Sequence, residues 1–135
     1  MHDTQDFDDV DRGFVARAET RQITTPDGKL AWDLDAYRFL EGPAPDTANP
    51  SLWRQGQLLI KDGLYEVVPG IYQLRGFDLS VMSVIEGDTG VIVIDPLTVE
   101  ETAAAVSALI SGSMTITPVS PSMTLITDRS KPRSW

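Results

Sequence analysis

The chain has 135 residues, of which 41% are hydrophobic, and its formal net charge is −9. This length suffices for one domain with a hydrophobic core, and the composition excludes a wholly disordered protein. The acidic balance excludes a nucleic-acid-binding protein, because phosphate contacts need clustered Lys and Arg, and it argues against docking on an anionic membrane. No apolar run could span a bilayer, and the first residues lack the pattern of a secretory signal, so we expect a cytoplasmic protein.

Residues 1–50 form a polar zone that we interpret as an N-terminal arm needing another surface to lie on. Its front is predicted to be a solvated, frayed terminus carrying five aspartates: Asp3, Asp6, Asp8, Asp9 and Asp11. Turn signals follow at Pro26-Asp27-Gly28 and at Gly42-Pro43-Ala44-Pro45. The alternation of polar and apolar residues around 31–35 indicates a short strand between them.

Residues 51–110 carry the strongest structural signals. A helix is predicted to begin this zone, with Ser51 as its cap. Four strands should follow, at Leu64–Val68, Ile71–Arg75, Val81–Glu86 and Val91–Ile94, joined in part by the turns Pro69-Gly70 and Gly87-Asp88-Thr89-Gly90. The last strand is continuously apolar, which is typical of a strand buried on both faces.

A second helix is predicted after the fourth strand. Thr98 and Glu101 have the spacing of a capping box, in which each side chain satisfies a free backbone amide of the first turn. One face of this helix would then be apolar and carry Val99, Ala103, Val106 and Ile110. Meander strands followed by a strand-to-helix step predict an α/β or α+β layered domain.

Residues 111–135 form a divergent tail rich in Ser, Thr, Pro and Met, with one more candidate strand at Met123–Thr127. We interpret the abrupt change after Ile110 as the result of a frameshift or a wrongly placed gene end, with a genuine short paralogue as the alternative. Translation of the DNA downstream of codon 110 in the other two frames tests this, since a frameshift predicts a histidine-rich motif and a long continuation.

Residues 12–110 resemble the N-terminal region of the linear alkylsulfatases, zinc enzymes that hydrolyse dodecyl sulfate. The most specific runs are Asn-Pro-Ser-Leu-Trp-Arg-Gln at 49–55 and Val-Val-Pro-Gly-Ile-Tyr-Gln at 67–73. The resemblance extends over Phe39–Gln55, Gly63–Ser80, Ile85–Gly90 and Val93–Thr98.

This resemblance implies an α/β fold of the αββα metallo-β-lactamase type that is incomplete here: an N-terminal arm at 1–50, then an antiparallel β-meander and one helix at 51–110 as the first part of the domain. It also implies that Asp95 matches the first superfamily motif, an aspartate at the end of a buried strand that supports the metal-binding loops by hydrogen bonds without ligating metal. From the local sequence alone, Asp95 is a cap or turn residue before Pro96, and the two roles can coexist.

The resemblance implies a site of two zinc ions whose first ligands come from a Thr-His-Ser-His-x-Asp-His segment, and two such metals lower the pKa of a bound water. The corresponding stretch here, Thr127–Pro132, has no histidine, and the chain has no cysteine. The single histidine, His2, is interpreted as a solvated terminal residue, and Glu86, Asp88 and Asp95 stand too close to the ends of paired strands to form a new cage. We therefore expect no cofactor, metal ligand or catalytic residue in this chain.

The expected function is that of a truncated alkylsulfatase, inactive alone, whose parent reaction hydrolyses primary alkyl sulfate esters to alcohol and sulfate. Whether the chain is itself an enzyme stays open. The alternatives are a non-catalytic binding or dimerisation module that docks on a full-length relative, and a small acidic protein without a ligand. The family resemblance implies homodimers formed through a domain absent here, and incomplete cover of the sheet predicts self-association or aggregation.

Overall fold

The computed structural model describes residues 4–88, 90–113 and 124–126. Its main feature is a six-stranded sheet with the order β1-β4-β5-β6-β7-β8, beside a two-stranded hairpin, β2-β3. The strands are β1 (Phe14–Ala16), β2 (Gln22–Thr24), β3 (Leu30–Asp33), β4 (Gly63–Val68), β5 (Ile71–Arg75), β6 (Met82–Gly87), β7 (Gly90–Ile94) and β8 (Thr124–Ile126). The helices are α1 (Gln5–Val10), α2 (Pro50–Leu59) and α3 (Glu100–Ser113), with a 3-10 helix at Arg38–Glu41.

The sheet is antiparallel from β1 to β7, and β8 adds to it in parallel. Short turns close two of the pairs, since Val68 pairs with Ile71 and Gly87 pairs with Gly90. The parallel pair needs a crossover, and α3 lies between β7 and β8 in the chain. The α/β character is confirmed, and so are the four strands predicted at 64–68, 71–75, 81–86 and 91–94, whose observed ends differ by at most one residue.

One face of the sheet carries the hydrophobic core. Leu74 and Val84, on neighbouring strands, are 0% and 1% exposed. The β2-β3 hairpin and α3 cover this face, with Ile23 and Val106 in the same cluster. Complete burial of such an apolar side chain contributes about 1.5–3 kcal/mol, so this face provides most of the stabilisation of the described fold.

The opposite face is open at β7. Ile92 and Ile94 are 39% and 43% exposed, and Ile92 is paired with Ile85 across the strands. The prediction that this strand is buried on both faces is therefore wrong for the residues that the structure describes. The continuous apolar pattern anticipated a second layer, whereas the described helices and hairpin cover the first face alone.

Both predicted helix starts differ from those observed. Asn49, rather than Ser51, caps α2, because its side-chain oxygen accepts from the amides of Ser51 at 2.9 Å and Leu52 at 3.2 Å. Pro50 then occupies the first turn, where its missing N–H costs nothing. The helix α3 begins at Glu100, and Thr98 is engaged elsewhere instead of forming the predicted capping box.

The acidic front is more ordered than predicted. Gln5–Val10 form a helical turn and a half, and Asp6 and Asp11 make ion pairs at 2.8 Å with Arg54 and Lys61. Beyond this helix, β1 pairs with β4, so the arm lies along the sheet. The boundary of this arm at residue 50 and the frameshift in the tail stay predictions, and His2 lies outside the described residues.

Candidate functional site

Two loops meet at one edge of the sheet. The strands β5 and β7 both run antiparallel to β6, so their carboxyl ends lie at the same edge. The loop after β5 comprises residues 76–81, and the loop after β7 comprises residues 95–99. Each loop contributes one carboxylate to this edge, Asp78 from the first and Asp95 from the second. Side chains at the ends of neighbouring strands are a common source of functional groups in layered α/β folds.

Asp78 ties the two loops together. One carboxylate oxygen, Oδ2, accepts hydrogen bonds from the backbone amide and the hydroxyl of Thr98, both at 2.6 Å. The other oxygen, Oδ1, accepts from the amide of Leu79 at 2.6 Å. Burial by itself would raise the pKa of Asp78, but these bonds from Thr98 and Leu79 favour the carboxylate and lower its pKa below the ordinary value.

Asp95 stands directly after β7 with a positive φ of 55°, and no other non-glycine residue of the described chain has a positive φ. Asp is among the few L residues that adopt this left-handed conformation with some frequency. Its side chain is exposed, and within the described residues no hydrogen-bond donor reaches its carboxylate. The support role implied for Asp95 stays a prediction, because the stretch that should carry the metal-binding loop lies outside the described residues.

A buried ion pair fixes the hairpin beside this edge. Asp62 is 5% exposed and binds Arg21 through two bonds, Nη1 to Oδ2 at 2.6 Å and Nη2 to Oδ1 at 2.9 Å. The Nε of Arg21 donates to Asp35 at 3.0 Å. The hydrogen bond with Asp62, followed by that with Asp35, raises the pKa of Arg21 further above its ordinary value, so the guanidinium remains charged at every accessible pH.

Gly76 joins this ion pair to the loop after β5. Its carbonyl oxygen accepts from the indole Nε1 of Trp32 at 2.7 Å, which binds β3 to the loop. Gly76 has a φ of 84°, and a Cβ at this position would lie 2.6 Å from the Cβ of Asp62. Only glycine allows the loop to pass so close to Asp62.

An open cavity of about 850 Å³ lies between α1, α2, the hairpin and the loop after β5. Its lining is largely apolar and includes Trp32, Leu34, Tyr37, Leu40, Leu58, Leu59, Ile60, Leu79 and Val81. Its two cations already have partners, since Lys61 binds Asp11 and Arg75 donates to the carbonyl of Val10 at 3.0 Å. The cavity can therefore accommodate an apolar group better than an anion.

The structure does not bring together the three carboxylates that the sequence analysis considered as metal ligands, Glu86, Asp88 and Asp95. Glu86 lies near the end of β6 and Asp88 in the turn that follows it, while Asp95 stands at the other end of β7. Among residues 4–88, 90–113 and 124–126, no three His, Cys, Asp or Glu side chains are grouped closely enough to hold a metal ion. The stretch Thr127–Pro132 lies outside these residues.

Within the residues that the structure describes, no helix has the length and hydropathy needed to cross a membrane.

The sequence analysis missed Asp78 and the Arg21–Asp62 pair. Asp78 stands in the Gly63–Ser80 run that carries the family resemblance, but its partner Thr98 is 20 residues away. Arg21 and Asp62 are separated by 41 residues. No periodic or local motif connects residues at such distances, so only the fold reveals these pairs.

No protein-family model matches the chain. An alkyl/aryl-sulfatase of Saccharomyces cerevisiae is 45% identical over 102 residues, and a linear primary-alkylsulfatase of a Pseudomonas species is 48% identical over 105 residues. These matches cover 75% and 76% of this chain but 16% of each relative. The solved structure of a stereoselective inverting sec-alkylsulfatase from a Pseudomonas species superposes with a TM-score of 0.73 at 45% identity, covering 82% of this chain and 18% of that one. These matches confirm the resemblance identified from the sequence.

Proposed function

Because this chain is homologous to a segment of the alkylsulfatases, we propose that it forms the N-terminal part of an alkyl sulfate ester hydrolase. The parent reaction is the hydrolysis of primary alkyl sulfate esters to alcohol and sulfate. The observation that carries the proposal is the identity of 45–48% with alkylsulfatases over about three quarters of the chain. The chain spans about one sixth of these relatives, at 16% of their length, so the reaction is proposed for the longer protein.

The sheet topology supports a metallo-β-lactamase-like assignment. Ile94 and Ile126 are paired in parallel register, so β7 and β8 end at the same edge of the sheet, and Asp95 follows directly after β7. In the proposed fold, this is where the first-motif aspartate stands next to the loop that carries metal ligands. Asp95 thus occupies a position from which its carboxylate can hold such a loop.

The residues of this chain do not fit a di-zinc centre. A hydrolytic zinc site takes three or more His, Asp, Glu or Cys ligands and keeps one position for water. The sequence has one histidine, His2, and no cysteine, and Asp95 is not grouped with other ligands among the described residues. We therefore propose that the 135 residues alone neither bind zinc in stoichiometric amount nor hydrolyse the ester.

A graft tests the proposal directly. Residues 12–110 would replace the homologous segment of the Pseudomonas linear primary-alkylsulfatase, and dodecyl sulfate hydrolysis and zinc content would be measured. We expect a folded chimera with two zinc ions that hydrolyses dodecyl sulfate, because the two segments are 48% identical over 105 residues. A matched graft carrying Asp95→Asn should lose activity or zinc while keeping its fold.

The isolated chain provides the complementary measurement. Purified 135-residue protein should contain no stoichiometric zinc and should not release sulfate from dodecyl sulfate. Zinc in stoichiometric amount together with turnover would contradict the proposal. A folded graft without hydrolysis would show that the segment is not functionally equivalent to that of the relatives.

A binding or dimerisation module is the second candidate function. The exposed Ile92 and Ile94 on the open face of β7 favour it, because a contiguous apolar surface is a common site of association. Sedimentation analysis of the chain and of an Ile92→Thr/Ile94→Thr variant distinguishes the two candidates. A discrete dimer that the double variant abolishes would favour the module, whereas a monomer would favour a segment of the hydrolase.

A further inference from the structure

We propose that Asp78 is a positioning residue for Asp95: its carboxylate fastens the loop that carries Asp95 to the loop that follows β5. The inference rests on the proposed function for the significance of Asp95, but its geometry stands on the described residues alone.

The loop after β7 is held at two points. Leu97 is 8% exposed and packs in the hydrophobic core. Thr98, the next residue, gives both its amide and its hydroxyl to one oxygen of Asp78, each at 2.6 Å. Asp95 lies between these anchors and the last pairing of β7 at Ile94, so both ends of its short segment are fixed.

The conformation of Asp95 requires such fixing. Asp adopts a φ of 55° more readily than most residues, but the conformation is still less favourable than a negative φ and persists where the surrounding structure holds it. Inside the described chain, the side chain of Asp95 has no hydrogen bond that could supply this restraint. The restraint therefore comes from β7 on one side and from Leu97 with the Asp78–Thr98 bonds on the other.

Asp78 is itself immobilised for this task. Its second oxygen accepts from the amide of Leu79 at 2.6 Å, so the two oxygens have separate partners and the carboxylate plane is fixed. Gly76, near the start of the same loop, is tied to β3 through Trp32 at 2.7 Å. The loop after β5 is thus a rigid base against which Thr98 is held.

The hydrogen bonds between Asp78 and Thr98 form a clamp between the two loops, and three variants of the full chain test it. Thr98→Val removes the hydroxyl donor but keeps the shape and the amide, Thr98→Ser keeps the hydroxyl, and Asp78→Asn leaves one accepting oxygen in place of two. The readouts are the backbone ¹H–¹⁵N resonance of Asp95 and the hydrogen exchange of the Thr98 amide, with the indole N–H of Trp53, bound to the carbonyl of Gly42, as a remote reporter.

We expect Thr98→Val and Asp78→Asn to move the Asp95 resonance and to speed exchange at Thr98 by about fivefold to tenfold, the factor that loss of one hydrogen bond produces. Thr98→Ser should restore both values, and the Trp53 signal should stay unchanged in all three. Asp95 resonances that coincide with that of the unmodified chain in both Thr98→Val and Asp78→Asn would overturn the proposal. If Asp78→Asn does not fold, the Thr98→Val and Thr98→Ser pair decides the question.

The graft connects the clamp to catalysis. In the chimera, Thr98→Val should lower kcat for dodecyl sulfate about tenfold with little change in KM, and Thr98→Ser should recover most of it, since a displaced Asp95 would alter the reacting centre rather than substrate binding. Equal kcat in the Thr98→Val and unmodified grafts would overturn the positioning role. An inactive unmodified graft would contradict the proposed function, and the resonance measurement on the isolated chain would still decide the clamp.

Discussion

Asp62 and Asp78 both hold two segments of the chain together through a carboxylate, but Asp62 is buried and Asp78 lies near the surface. Each carboxylate joins segments that are distant in sequence, 41 residues apart for Asp62 and Arg21 and 20 for Asp78 and Thr98. Asp62 is buried and pairs with a charged partner, whereas the bonds of Asp78 lie near the surface and come from uncharged donors. Loss of Arg21 would leave the buried carboxylate of Asp62 with the longer contact to Arg17, at 3.6 Å, so the hairpin edge depends on the Arg21–Asp62 pair for stability. The clamp at Asp78 can be opened at small cost, and its effect is on local geometry.

Removal of Arg21 should cause the largest loss of stability among the variants that test this comparison. Arg21→Ala would leave Asp62 buried without its bidentate partner, and we expect the free energy of unfolding to fall by about 3 kcal/mol. Urea unfolding followed by far-ultraviolet circular dichroism measures this. The matched control is Lys29→Ala, whose ion pair with Asp27 has side chains 80% and 58% exposed and should contribute at most about 1 kcal/mol. Similar losses for the two variants would show that burial does not distinguish these pairs.

A side chain at Gly76 should cause the next largest loss in the free energy of unfolding, because the loop passes close to Asp62 there. Gly76→Ala places a Cβ against Asp62 at a φ of 84°, and we expect a loss of about 2–3 kcal/mol from backbone strain and displacement together. Gly28→Ala is the control, because Gly28 has a φ of 82° with no atom within 4 Å of its added Cβ. The control should lose about 1–2 kcal/mol, so the difference between the two unfolding energies isolates the contact with Asp62. Equal losses would mean that the loop moves away freely.

The hydrogen bond of Trp32 should have a smaller effect. Trp32→Phe removes the donor to the carbonyl of Gly76, and we expect a loss of about 1 kcal/mol in the free energy of unfolding. Trp53→Phe is the counterpart, since the indole of Trp53 donates to the carbonyl of Gly42 at 2.9 Å and does not touch the loop after β5. Faster hydrogen exchange at Asp78 and Leu79 should appear in Trp32→Phe and not in Trp53→Phe.

The pH dependence of the Asp78 clamp should be the smallest effect on stability. Because the pKa of Asp78 is lower in the folded chain than its ordinary value of about 4, the clamp stabilises fully above that value and is lost as the pH falls through the lower folded pKa. Titration of the Thr98 amide resonance should show a transition below pH 4. The same titration in Asp78→Asn should lack that transition, and a transition of equal size would show that another group is responsible.

The strands β4 to β7 could be predicted because short runs rich in apolar and β-branched residues are separated by the turns Pro69-Gly70 and Gly87 to Gly90. The helix starts were missed where a competing side chain was present. Asn49 precedes Pro50 and satisfies the first amides of α2. Thr98 is taken by Asp78, a partner from a distant segment that outweighs the local capping pattern.

The candidate site was only partly predictable from the sequence. Asp95 could be placed at the end of a strand because it follows an apolar run, but its left-handed backbone depends on anchors at Leu97 and Thr98 that the sequence does not display. The apolar character of Ile92 and Ile94 correctly marked them as sheet residues. The apolar character of these residues could not predict that the described helices lie on the other face alone. An apolar strand can be buried on both faces, but its sequence does not show which elements cover it.

The mixture of short and long pairings in the sheet also dictates an order of assembly during synthesis. Pairs such as Gly87 with Gly90 close loops of a few residues, so neighbouring strands of the meander can pair as soon as they leave the ribosome. β1 and Arg21 are made earlier, yet their partners in β4 and at Asp62 emerge some forty to fifty residues later. β1 and Arg21 thus wait for their partners while some forty residues are made, and during that interval they stay accessible to chaperones and proteases.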